Sequence, residues 1–188
     1  MRKVRKKTGV VPVFFVAYWA GGVANNLTLV MIRNKRQPEE NDMKIAIAAD
    51  HGGFELKQKL IAHYSSLGVE MNDLGTYSAE SVDYPDYAEK VSRAVLDGAA
   101  DSGVLICGTG IGISIAANRH KGIRAALLYS AETARLAREH NNANVAVFGA
   151  RTMTYDEVVE RLDIFLKTPF EGGRHVRRIE KIDVYGGC

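Results

Sequence analysis

The chain has 188 residues, 46% hydrophobic and 25% charged, which suits one domain whose core needs no disulfide staples. Its two cysteines, Cys107 and Cys188, form no disulfide framework and fit a reducing compartment such as the cytoplasm. The net charge of +3 is local: residues 1–42 carry eight Lys/Arg against three Asp/Glu, whereas the remainder carries seventeen against nineteen, so a general nucleic-acid surface is not indicated.

Residues 1–42 read apart from the rest. Arg2, Lys3, Arg5, Lys6 and Lys7 precede an apolar run from Val10 to Ala24, and Asn25-Asn26 separates it from a second run, Leu27 to Ile32. The first run falls short of the roughly 20 residues that cross a bilayer, and no small-x-small cleavage signal follows. These residues are expected to be an extension outside the main domain, with Met43 a natural start and no membrane contact unless the extension is a real anchor. The main domain is then 43–188.

From Met43 the pattern alternates. Lys44 to Ala49 is a buried-type strand, and Phe54, Leu56, Leu60, Ile61, Tyr64 and Leu67 recur at helical spacing until Gly68. Val69 to Leu74 is a second strand. Asp83-Tyr84-Pro85 reads as loop, with Asp86 capping a helix to about Asp97. Gly103 to Cys107, Ala125 to Leu128 and Val145 to Phe148 are further strands. Helices are expected near Ile113–Asn118, from the Ser130 cap to His140, over Thr154–Leu166, and from Arg174 to about Asp183. Five strands separated by helices predict an α/β fold, a three-layer αβα Rossmann-like arrangement on a five-stranded parallel sheet. Ligands in such sheets bind beyond the carboxyl ends of the strands. The loops expected there are Asp50-His51-Gly52-Gly53, Cys107 to Gly112, His140-Asn141 and the stretch after Phe148.

Gly108-Thr109-Gly110-Ile111-Gly112 joins a strand to a helix and offers backbone amides to an anion, either a phosphate or an enediolate. The spacing is not that of a dinucleotide fingerprint, and no G-K-[ST] follows, so NAD and nucleotide P-loop chemistry are set aside. Cys107 opens this loop. A thiol beside a helix N-terminus among amide donors can act as nucleophile or general base, although free cysteine is often a small buried hydrophobe. His51 and His140 are expected as its neighbours across the strand ends. Arg174 and Arg178 share a helical face suited to a phosphate, which Arg151 can join. His63 and His120 show no metal-ligand spacing, so no metal is expected.

Together the segments Ala49-Asp50-His51-Gly52-Gly53, Asp83-Tyr84-Pro85, Ile106 to Asn118, Gly122-Ile123-Arg124-Ala125, Glu139 to Val145, Phe148 to Arg151 and Glu171 to His175 resemble the type B ribose-5-phosphate isomerases, in the family that includes the galactose-6-phosphate isomerase subunits. The resemblance covers roughly residues 43–183. It implies aldose–ketose interconversion of ribose 5-phosphate and ribulose 5-phosphate through an enediolate. No metal or organic cofactor is implied, and the partner is a second copy of the chain, as a homodimer or tetramer with shared sites. By position it makes Cys107 the base that moves the proton between C1 and C2. The amides of Gly108, Gly110, Ile111 and Gly112, with Thr109, hold the enediolate. His140 and Asp50 assist ring opening, and His51, Arg151, Arg174 and Arg178 hold the phosphate. Asn141 binds hydroxyls and Tyr84 lines the pocket. Alternatives are an allose or galactose 6-phosphate substrate, and a non-catalytic sugar-phosphate-binding protein on the same fold.

Overall fold

The computed structural model describes residues 43–185. The reading of residues 1–42, and Cys188, lie outside the described residues. Five strands, β1 (Lys44–Ala49), β2 (Glu70–Asp73), β3 (Ser102–Cys107), β4 (Ala125–Leu127) and β5 (Val145–Gly149), form one parallel sheet in the order β2-β1-β3-β5-β4. The helices are α1 (Phe54–Ser66), α2 (Tyr84–Leu96), α3 (Ile111–Ala117), α4 (Ala131–Glu139), α5 (Tyr155–Lys167) and α6 (Val176–Tyr185).

Side-chain alternation along the strands divides the core in two. Ile45, Ile47, Val104, Ile106, Ala146 and Phe148 pack with Leu60 of α1, Ala134 of α4 and Leu162 of α5. Ala46, Ala48, Leu105, Cys107, Val145 and Val147 pack on the other face with Val91 of α2 and Ile113 of α3. Both faces are covered, so the central strands are apolar throughout. The expected three-layer αβα fold is the observed one. No helix among the described residues is long and apolar enough to cross a membrane.

Three boundaries depart from the sequence reading. α2 begins at Tyr84, with Asp83 in the cap position and Pro85 inside the first turn, so Asp86 is a first-turn residue and not the cap. Proline tolerates that place because its missing N–H would have no intrahelical partner there. α3 starts at Ile111, two residues early, with Gly110 at φ +80 supplying the turn. The last helix is divided: Gly173–His175 form a 3-10 turn before α6, so Arg174 stands in the turn and Arg178 on the helix.

The sheet order fixes where a ligand can sit. From β1 the chain turns to α1 on one face, and from β3 it turns to α3 on the other. Their carboxyl-end loops diverge and leave a crevice, the switch point at which such sheets bind ligands.

Candidate functional site

Cys107 is the last residue of β3 and is only 4% exposed. Its Sγ accepts a hydrogen bond from the Gly110 N–H at 3.1 Å. The glycines of this loop are required by close approach. A Cβ on Gly112 would stand 2.7 Å from the Tyr84 ring, and one on Gly110 would strike Leu127 and approach the Phe148 carbonyl at 3.1 Å. Tyr84 thereby closes one side of the loop. Thr109 Oγ1 accepts from the Ile111 N–H at 3.4 Å. The first amides of α3 lie in this turn, where helical N–H groups have no intrahelical acceptor.

Two neighbouring loops meet it. Asp50, 8% exposed, follows β1 and accepts from the Gly53 N–H through Oδ1 at 3.1 Å, which caps the 3-10 turn His51–Gly53. A Cβ on Gly52 would lie 3.4 Å from the Gly108 nitrogen, so the Asp50 and Cys107 loops touch. His51 Nδ1 accepts from the Val82 N–H at 3.3 Å, which keeps the imidazole proton on Nε2 as a donor. On the other side, the Arg151 N–H donates to the Gly108 carbonyl at 2.9 Å, and the Arg151 guanidinium stands over Gly108. His51 and Arg151 line a cleft of about 450 Å³ with Glu55, Lys59 and Tyr155. The last three went unnoticed in the sequence, where each reads as an ordinary helix residue.

The remaining expected residues lie elsewhere. A helix following a parallel strand runs back toward the strand's start, so the end of α4 lies at the amino edge of the sheet. His140 is the residue after α4, and the chain reverses through Asn142 at φ +43. Asn144 then accepts from the Gly103 N–H at the start of β3. The six residues of β3 separate that edge from Cys107 by roughly 17 Å. His140 and Asn141 are therefore not at the carboxyl ends of the strands, and His140 is no neighbour of Cys107 within one chain.

The Glu171 N–H donates to the Glu139 carbonyl at 3.1 Å, which brings Arg174 to the same amino edge. There His140 and His175 stack at 4.3 Å between ring centroids, 7° from parallel. Glu171 Oε2 lies 3.9 Å from His140 Nε2 and 3.6 Å from His175 Nε2. Arg174 Nε lies 3.4 Å from His175 Nε2. Burial above all, then the charges of His140, Arg174 and Arg178, holds His175 below its ordinary value, with Glu171 pulling the other way; the neutral ring is favoured. The sequence reading gave His175 no role. The Glu171/His175 spacing of four, with His140 packed beside it by the fold, is the signal that was available.

Comparison with known proteins decides the family. The Ribose/Galactose Isomerase family profile matches residues 45–182. The chain belongs to that family. It is 48% identical to ribose-5-phosphate isomerase B of Escherichia coli (strain K12) over 139 residues, 74% of this chain and 93% of that one. A ribose 5-phosphate isomerase crystal structure from Thermotoga maritima is similar at 56% identity and a TM-score of 0.75, covering 76% of this chain and 99% of that one. A ribose-5-phosphate isomerase B of Mycoplasma genitalium with bound ribulose-5-phosphate is similar at 46% identity and a TM-score of 0.73, covering 77% and 96%. Within the ribose/galactose isomerase family, then, this chain carries its thiol loop and its stacked histidines at opposite ends of one sheet.

Proposed function

We propose that the chain interconverts ribose 5-phosphate and ribulose 5-phosphate through an enediolate, with Cys107 as general base. The observation that carries this reading is the Cys107 thiol beside the Gly110 amide, at a loop whose flank bears His51 and Arg151 on one cleft. The names of the relatives and the ligand of the Mycoplasma structure support the same substrate.

The open-chain aldose lies with C1 and C2 over Cys107 and its phosphate toward His51 and Arg151. The thiolate takes the C2 proton, charge develops on the carbonyl oxygen O1, and the O2 hydroxyl proton passes to O1 as C2 becomes the new carbonyl. Amides of Gly108, Gly110, Ile111 and Gly112, with Thr109, stabilise that oxyanion, and the thiol returns the proton to C1. The phosphate is remote from the chemistry, so its binding energy positions the reacting carbons. Asp50, held beside Gly108, serves ring opening from this end of the sheet, and Tyr84 bounds the pocket.

His140, Asn141, Arg174 and Arg178 act in this reading from a second copy of the chain. One chain holds its His140 too far from its own Cys107. Ile111 and Ile115, 55% and 53% exposed and one turn apart on α3, offer an apolar surface beside the site for that copy. The partner's amino-edge cluster then completes the ring-opening pair and the phosphate clamp. Residues 43–188 form the isomerase domain and 1–42 an extension, and a reducing cytoplasm suits the free Cys107 thiol.

Cys107→Ala is expected to abolish turnover of ribose 5-phosphate in a ribulose 5-phosphate assay while leaving substrate affinity nearly intact. Turnover at the wild-type rate in that variant would remove Cys107 from the mechanism. Turnover of allose or galactose 6-phosphate in preference to ribose 5-phosphate would reassign the substrate.

A further inference from the structure

We propose that His140, Glu171 and His175 bind a zinc-type transition-metal dication, and that filling this site inhibits the isomerase. Both imidazole Nε2 atoms approach the same carboxylate oxygen, at 3.9 Å and 3.6 Å. The three ligand atoms lie within 4.8 Å of one another. Bond lengths near 2.0–2.2 Å in tetrahedral zinc place ligand atoms roughly 3.3–3.6 Å apart, so the two edges to Glu171 are within about half an ångström of a coordinated triangle, while the rings, stacked 7° from parallel, require His140 to tilt out of the stack before both lone pairs meet one ion.

The backbone holds the ligands in register. His140 caps α4, and the adjoining Glu139 carbonyl accepts from the Glu171 N–H. Glu171 and His175 are four residues apart across the 3-10 turn. His175 is 5% exposed and fixed by packing, whereas His140 and Glu171, at 36% and 53%, have room to close on an ion. Two imidazoles and one carboxylate make a donor set that zinc uses with a fourth position open to water. Magnesium and calcium call for oxygen ligands and do not suit it.

Opposing charge sets the strength. Arg174 Nε occupies the neighbourhood of His175 Nε2 at 3.4 Å and must swing into solvent, which its exposed position allows. Arg178 repels the ion as well. A single carboxylate against these guanidiniums weakens the site. The inhibitory half rests on the reading above: an imidazole bound to metal moves no proton, and a displaced Arg174 holds no phosphate. Metal and substrate therefore exclude one another.

The test is calorimetric titration of the full chain with zinc chloride in sugar-free, chelator-treated buffer. One zinc per chain is expected. Glu171→Gln and His175→Gln should each weaken binding by at least about tenfold, since even outer-shell changes cost that much. Glu171 is exposed, so its variant reports even where the buried His175 change unfolds the chain. Cys107→Ala should leave binding intact. No uptake, or uptake lost in Cys107→Ala and kept in Glu171→Gln, overturns the site. Zinc should also inhibit ribose 5-phosphate turnover, less so in Glu171→Gln. Binding at these residues without inhibition keeps the site and removes both the inhibition and the ring-opening role of His140.

Discussion

Adjacent glycines at the end of β1 answer to different constraints. A Cβ on Gly53 would lie 2.7 Å from Ile106 Cγ2 and 2.9 Å from the Ile106 carbonyl oxygen, and the carbonyl is fixed in the sheet. Gly53→Ala is expected to cost about 1–3 kcal/mol, read from urea denaturation, as overpacking against backbone does. A Cβ on Gly52 would meet Asp50 Oδ1 at 3.3 Å and the Gly108 nitrogen at 3.4 Å, contacts that give by small shifts. Gly52→Ala should leave the urea midpoint almost unchanged and lower kcat/KM instead, because what shifts is Asp50 and the Cys107 loop. Equal losses of stability in the two variants would contradict this division. Lys57 poses a separate question of charge. It is wholly buried, with Nζ 2.5 Å from Asp73 Oδ1, while the Asp73 side chain is 24% exposed. Asp73→Ala strands a buried ammonium and should cost about 3 kcal/mol, the low end for a broken buried pair. Lys57→Met fills the same space and leaves Asp73 with water and the Gly75 N–H, so it should cost less; the two urea midpoints decide the order.

At the level of elements, the capping box of α5 makes a pH-dependent contribution whose sign is fixed. Glu157 accepts from the Thr154 N–H at 2.8 Å and hydroxyl at 2.9 Å. These hydrogen bonds first, and Arg161 after them, hold its carboxyl below the usual range. The folded chain thus prefers the ionised form. That contribution is complete above the unfolded carboxyl value and is lost as pH falls through the depressed folded one. Wild type should exceed Glu157→Gln in stability at neutral pH, and the gap should close as the pH falls through the depressed carboxyl value, as measured by denaturant midpoints. A gap independent of pH would show that the amide replaces the carboxylate fully. Elements of this kind were legible beforehand, since a Thr with Glu three residues later marks a helix start locally. The start of α2 was not legible in the same way. Asp83 makes no side-chain capping bond, and Pro85 reads as a breaker until the strand end and Gly112 fix where Tyr84 must stand.

The whole molecule explains which part of the site sequence could reach. Residues that follow β1, β3 and β5 inherit the carboxyl edge from strand direction alone, so Asp50, His51, Cys107 and Arg151 were placed correctly by pattern. His140 and Arg174 follow helices, and a helix returns the chain to the opposite edge; treating every loop near a motif as part of one crevice lost that distinction. The consequence is testable without a new structure. In a two-fold dimer each site takes the Cys107 loop from one chain and His140 from the other, so the contacts are reciprocal. Cys107→Ala and His140→Gln chains should each be inactive on the cyclic substrate as pure preparations. When they are unfolded together in equal amounts and refolded, half of the dimers pair one chain of each kind. Every such hybrid contains one site with both mutations and one with neither. Activity should therefore recover to about a quarter of wild type, the share of intact sites under random pairing. Sites confined to single chains allow no recovery at any mixing ratio, because each chain would carry its own defect into its own site.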